Sequence, residues 1–178
     1  MWEIRAEQPA DGPAIEALLA RSFGPGRYVK TAYRLREAVR PVDGLSFVAI
    51  VDSVLHGSIR FWPVFVGAQP ALLLGPLAVE SELRGQGIGI ALMQKGIDTA
   101  RLLGRGAIIL VGDLPYYARV GFARMPQGQV QFPGPVDPAR ILALGPQAGA
   151  LDTLAGAVRR ARIDEPVSAD GTPWGPAP

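Results

Sequence analysis

The spacing of apolar positions divides the chain into short alternating runs and longer helical stripes. Trp2-Glu3-Ile4-Arg5-Ala6 alternates, the pattern of a strand with one buried face. After it, Ile15, Leu18, Leu19 and Phe23 recur on one helical face, with Asp11 placed to cap the helix and Gly24-Pro25-Gly26 placed to stop it. Tyr28, Ala32, Leu35 and Val39 form a second stripe, which predicts a helix over about 28–39. Its other faces carry Lys30, Arg34, Arg36 and Arg40, read as a solvated face, with guidance of an anion as the sharper alternative. Leu45–Val51, Val54–Val66 and Ala71–Val79 predict three strands in an antiparallel meander, turning at Asp52-Ser53 and at 67–70. A helical stripe from Ile88 to Leu103 and a short β-branched run from Ala107 to Val111 follow, so this last strand should lie parallel to the one before the helix. Beyond Gly128, Gln129–Phe132 and Ile141–Leu144 fit closing strands, while Leu151–Arg162 fits either a helix or a strand with a turn at Gly156. The expected architecture is α/β (α+β): a mixed, mostly antiparallel sheet with helices on both faces and one parallel pair. A cleft is expected where that pair diverges.

Composition narrows this picture. A chain of 178 residues supports one sizeable core and is short for two ordinary domains. A single domain is expected over 1–163, with 164–178, rich in Pro, Gly and small residues, as an extended or disordered tail. No apolar stretch is long enough to span a bilayer, and Met1-Trp2-Glu3-Ile4-Arg5 lacks the basic-then-apolar layout of a signal peptide. The absence of cysteine excludes disulfides and an acyl-cysteine intermediate. These features lead us to expect a cytoplasmic protein with no membrane partner. A net charge of +2 gives no case for nucleic acid, although it suits an anionic small molecule.

The candidate chemistry begins at Arg84-Gly85-Gln86-Gly87-Ile88-Gly89. This stretch lies between an apolar run, 72–79, and the stripe from Ile88, an order that reads strand, glycine-rich turn, helix. Such a turn aims backbone N–H groups outward at the positive end of a helix, a setting that suits phosphate. A dinucleotide-binding G-x-G-x-x-G is excluded because Ile90 stands at its third glycine. A P-loop is excluded because no Gly-Lys pair occurs. The pattern that remains is [RQ]-x-x-G-x-[GA], filled by Arg84, Gly87 and Gly89.

A second signature lies downstream. In Leu114-Pro115-Tyr116-Tyr117-Ala118-Arg119-Val120-Gly121-Phe122, Pro115 suits the first turn of a short helix and Gly121 its left-handed end. The two signatures together resemble the GCN5-related N-acetyltransferases, here abbreviated GNAT. Gly75-Pro76-Leu77-Ala78-Val79 before the loop and Gly112-Asp113-Leu114-Pro115-Tyr116-Tyr117 after it are similar to those of small bacterial predicted acetyltransferases of that family. The specific motifs cover 72–122, and a looser likeness runs from the N-terminus to about 145.

The resemblance implies that Arg84, Gly85, Gln86, Gly87, Ile88 and Gly89 hold the pyrophosphate of acetyl-coenzyme A, a co-substrate needing no metal. It implies that the backbone of Leu77, Ala78 and Val79 pairs with the pantetheine arm and offers an N–H to the thioester oxygen. Tyr117 matches the family's tyrosine facing the sulphur. With an unperturbed phenol near 10 and a thiol near 8.5, it reads as a hydrogen-bond donor, and as a formal acid only if its site lowers its pKa. Tyr116 is expected to pack or to line the acceptor pocket. Glu80, Glu82, His56, Asp113 or water are candidates for taking the amine proton. Many family members carry asparagine where this chain has Gly112-Asp113. The implied activity is N-acetylation of a small-molecule or peptidyl amine by direct attack in a ternary complex, by a monomer or homodimer. A non-catalytic acyl-coenzyme A sensor or regulatory protein of the same fold is the alternative.

Overall fold

The computed structural model describes residues 1–161, so the expected tail lies outside the described residues. The strands are β1 (Trp2–Ala6), β2 (Ser46–Val51), β3 (Val54–Val66), β4 (Gln69–Val79), β5 (Ile108–Val111), β6 (Ala123–Arg124), β7 (Val130–Gln131), β8 (Ile141–Leu144) and β9 (Gly156–Arg160). The helices are α1 (Gly12–Phe23), α2 (Thr31–Arg34), α3 (Ile88–Leu102) and α4 (Leu114–Tyr117). The sheet runs β1-β2-β3-β4-β5-β8-β6, with β9 paired to the far end of β3 and β7 to β9. Neighbours on this main path are antiparallel except β4 and β5, as the strand–helix–strand pattern requires.

Helices cover both faces because successive strand residues point to opposite sides. Phe47 and Ala49 of β2 pack with Ile88, Leu92, Met93 and Ile97 of α3. Val48, between them, packs with Ile15, Leu18 and Leu19 of α1. The β2–β3 turn needs a left-handed backbone, and Asp52 and Ser53 supply it with φ of 48° and 67°. The next turn is shorter than expected: β4 already starts at Gln69. Within the segment expected as helix or strand, Gly156–Arg160 forms β9, with Gly156 at its start at φ 121°.

Three local expectations are corrected. Asp11 occupies the N-cap position of α1 without a capping bond from its side chain. Its carboxylate instead accepts from the Gln8 N–H at 2.7 Å and from both terminal nitrogens of Arg5 at 2.7 and 2.8 Å. The bidentate cation outcompetes a single backbone donor. The predicted helix over 28–39 is not continuous. A 3-10 turn (Pro25–Val29) and the four-residue α2 replace it, and the chain then turns to Ala38 at φ 56°. A 12-residue stretch holding β-branched Val29 and Thr31 has little helical stability of its own, so tertiary contacts decide its path. Those contacts are Leu35, buried with Trp62 and Val64, and Thr31 Oγ1, which donates to Pro135 O at 3.1 Å. The third correction follows from the second. Arg36 leaves the expected solvated face and turns inward, within 6.0 Å of the Trp62 ring.

Candidate functional site

A bulge in β4 organises the site. Ile59 pairs with Leu77 and Phe61 with Leu74, so one residue of β3, Arg60, faces two of β4, Gly75 and Pro76. Gly75 takes φ 131°, a conformation glycine accepts and other residues resist. The buried Trp62 indole N–H donates to the Gly75 carbonyl and holds the bulge in place.

The extra residue changes which N–H groups face which neighbour. Before the bulge, the Leu72 N–H donates to Ala107 O at 2.8 Å, toward β5. After it, the Glu80 N–H donates to His56 O at 2.9 Å, toward β3. Alternation then turns the Ala78 N–H toward β3 and those of Leu77 and Val79 toward the open side. That side is open because β4 and β5 pair only at Leu72–Ile108 and Leu73–Ile109. Beyond Ile109 the strand β5 keeps only β8, its antiparallel partner on the other side from Ile108 to Val111, and a gap opens beside Leu77.

The loop 84–89 closes one end of the gap. Arg84 ties it to the strand, its Nε donating to Val79 O at 3.2 Å and its N–H to Ser81 O at 3.3 Å. Gly87 stands before α3 at φ 85° with open space where a Cβ would project. The first intrahelical bond runs from the Ala91 N–H to Gly87 O. The N–H groups of Ile88, Gly89 and Ile90 therefore have no partner within the helix and point out of its positive end. Gly89 has no room for a side chain, since a Cβ would lie 2.2 Å from Tyr116 Oη.

Both tyrosines of α4 reach the gap. Tyr117 packs edge-on against Tyr116 and Phe122, with ring centroids 5.2 and 6.0 Å away. A Cβ at Gly112 would fall 2.3 Å from the Tyr117 ring, so glycine at the end of β5 is what lets this ring lie there. Burial pushes the Tyr117 phenol up to about 12, with smaller contributions from Tyr116 and Asp113. Burial also raises Tyr116. Burial thus moves Tyr117 away from the lowered pKa that a formal acid would need.

A cavity of about 680 Å³ continues from the gap under the α1–α2 segment. Leu77, Tyr116, Tyr117 and Asp113 line it, whereas Ala78, Val79 and the loop 84–89 lie outside it. Of the proton acceptors considered, only Asp113 reaches the cavity; it is exposed and paired with Arg140 at 3.2 Å. His56, Glu80 and Glu82 do not line it, and Glu80 is paired with Arg21. The other lining carboxylates, Glu16, Glu37 and Asp137, are exposed and were not legible from sequence; Arg36, one of the four cations weighed there as a guide for an anion, lines the cavity too, whereas its inward turn was not foreseen. The sequence signal for this geometry was Pro76, since proline inside an interior strand marks a bulge. Among the described residues no group of acidic, histidine or cysteine side chains could hold a metal, and no helix is long and apolar enough to cross a membrane.

Residues 12–123 match the Acetyltransferase (GNAT) family, and the chain belongs to that family. It is 36% identical over 125 residues to the N-acetyltransferase YhbS of Escherichia coli (strain K12), itself uncharacterized, a match spanning 67% of this chain and 72% of YhbS. The crystal structure of Escherichia coli YhbS in complex with CoA superposes with a TM-score of 0.74 at 31% identity, covering 90% of this chain and 89% of that one. A Brucella melitensis GNAT acetyltransferase in complex with acetyl-CoA gives a TM-score of 0.61 at 30% identity, covering 85% of this chain and 99% of the other.

Proposed function

We propose that the protein is an acetyl-coenzyme A-dependent N-acetyltransferase that transfers the acetyl group directly to an amine held in the cavity. The observation that carries this reading is the turn of the Leu77 and Val79 N–H groups into the gap between β4 and β5. Tyr117 lies on one side of that gap and the unpaired N–H groups of α3 close its end. The occupancy of the YhbS and Brucella structures by CoA and acetyl-CoA supports the same choice of co-substrate.

In this reading the pyrophosphate sits on the loop 84–89 and on the N-terminus of α3, where donors and dipole favour negative charge. The pantetheine arm extends along β4 as an additional strand, using Val79. The amine nitrogen attacks the thioester carbon, and the oxyanion that forms accepts from the Leu77 N–H, a donor of a kind worth roughly 2.7–4 kcal/mol elsewhere. Collapse breaks the C–S bond. The Tyr117 hydroxyl donates to the departing thiolate and keeps its proton, because its pKa lies near 12. The proton from nitrogen leaves to solvent through water and the exposed carboxylates that line the cavity. Ala78 has a supporting role, its N–H engaged with β3, and Arg84 holds the loop to Val79.

The test is a panel of amines incubated with acetyl-coenzyme A while free thiol is measured. Amine-dependent thiol release supports the assignment. Tight coenzyme binding with no thiol release for any amine contradicts it and leaves a non-catalytic acyl-coenzyme A binder.

A further inference from the structure

Five cations line the cavity: Arg27, Lys30, Arg36, Arg60 and Arg140. Three have hydrogen-bond or ion-pair partners in the fold: Arg60 is bidentate to Glu7 at 2.6 and 2.9 Å, Arg140 meets Asp113, and Arg27 donates to Gly24 O at 2.7 Å. Lys30 is exposed to solvent and lies over the Phe23 ring. Arg36 differs. It lies 6.0 Å from the Trp62 ring, but its Nε has no contact with solvent and no hydrogen-bond partner among the described residues, and no carboxylate among them pairs with it. The Gly75 carbonyl of the bulge accepts from the Trp62 indole. Burial lowers the guanidinium to about 10, with Arg60 adding to the effect and Tyr33 opposing it, so it remains charged at neutral pH. Arg36 is half-buried with its Nε fully shielded, and a cation desolvated in this way without a carboxylate is held at a cost that an anionic ligand would offset.

We infer that Arg36 is the recognition group for a carboxylate on the acceptor, so that the protein acetylates a small amine that also bears a carboxylate. This rests on the transferase reading for the amine half and on the Arg36 geometry for the carboxylate half. Arg36 Nη2 lies 3.2 Å from where a Cβ of Gly75 would stand, so the guanidinium rests directly on the bulge. Gly75 precedes Leu77 by two residues, at most about 7 Å of chain. An acceptor bound to both places therefore has its amine and its carboxylate separated by a short linker. Arg36 is poorly placed to serve the coenzyme, because the loop 84–89 lies outside the cavity that Arg36 lines. The planar fork of arginine suits bidentate carboxylate better than a lysine would.

The experiment uses β-alanine, γ-aminobutyrate and δ-aminovalerate, each beside its own carboxamide, with the parent protein, Arg36→Gln and Arg36→Lys. Binding is read by thermal melting in the presence of coenzyme A, and turnover by thiol release with acetyl-coenzyme A. The expected result is that at least one amino acid binds the parent tenfold or more tightly than its carboxamide. Arg36→Gln should reduce that ratio to about one, and Arg36→Lys should leave an intermediate value. Ligand-free Arg36→Gln should melt at or above the parent temperature, because a partly desolvated charge with no carboxylate partner has been removed. Equal binding of amino acid and carboxamide by the parent overturns the inference, as does a preference that survives Arg36→Gln. Loss of the folding transition in Arg36→Gln also overturns it, by making Arg36 structural. Carboxylate-selective binding that depends on Arg36, without any thiol release, would leave this site standing and refute the transferase reading alone.

Discussion

Replacing Tyr117 with phenylalanine removes one oxygen and keeps a ring that packs against Phe122 and the end of β5. The magnitude follows from the site. With the phenol near 12 and an ordinary thiol near 8.5, complete proton transfer to the leaving sulphur is uphill by about 3.5 pKa units, or about 5 kcal/mol. Tyr117 therefore acts by donating a hydrogen bond to developing charge, a contact worth about 1.5–3 kcal/mol. If that contact exists only as the C–S bond breaks, Tyr117→Phe lowers kcat by roughly 10- to 150-fold and leaves coenzyme affinity nearly unchanged. The same chemistry fixes a pH signature. A group that stays protonated to about 12 places no falling limb on kcat in the range where thiols titrate. The assay is thiol release at saturating acetyl-coenzyme A with an active amine, from pH 6 to 10, with a pre-steady-state phase to establish that chemistry limits turnover. A variant with parental kcat would refute the reasoning. So would a parental alkaline limb near pH 9 that disappears in Tyr117→Phe, because the phenol would then be titrating as an acid.

Two further predictions concern the framework. Gly96 lies under the fully buried Phe61, where a Cβ would stand 2.3 and 2.4 Å from ring atoms. Gly96→Ala should thus cost about 1–2 kcal/mol in denaturant unfolding, overpacking outweighing the helix propensity gained, and Phe61→Leu in the same chain should recover part of the loss. Hydrogen bonds from Arg5, and then from Gln8, hold the Asp11 carboxyl below its usual value of 3.8, with burial opposing. A depressed carboxylate stabilises the fold above the unfolded-state pKa and ceases to as pH falls through the folded one. Asp11→Asn should therefore destabilise at pH 7, and its deficit relative to the parent should close below about pH 4.

The meander, the α3 helix and the parallel pair were legible because their signals are local: alternation, a helical stripe, and glycines at a strand-to-helix turn. The pairing of [RQ]-x-x-G-x-[GA] with Tyr117 and Gly121-Phe122 pointed to the family for the same reason. What escaped was decided at long range. Tyr28 to Val39 has a helical stripe, yet contacts of Leu35 with Trp62 and of Thr31 with Pro135 override it. Arg36 looked like one of four surface cations, and its burial depends on that refolded segment meeting the bulge at Gly75. The direction of the Leu77 and Val79 N–H groups depends on a register shift between β3 and β4, and only Gly75-Pro76 hinted at it. Asp11 was placed correctly at a helix start, while its choice of Arg5 over the helix required β1 to be alongside.

The central claim, that coenzyme phosphates occupy the loop before α3, is tested most directly by comparing Gly87→Asp with Gly87→Asn. Both side chains tolerate the left-handed backbone that Gly87 adopts at φ 85°, both project into open space, and they differ essentially in charge. Acetyl-coenzyme A affinity is to be measured by titration calorimetry on both variants and the parent, with melting temperatures confirming equal folding. The account predicts that Gly87→Asp binds at least tenfold more weakly than Gly87→Asn. Equal affinity in the two variants, at equal folding, would contradict it and move the phosphate site elsewhere.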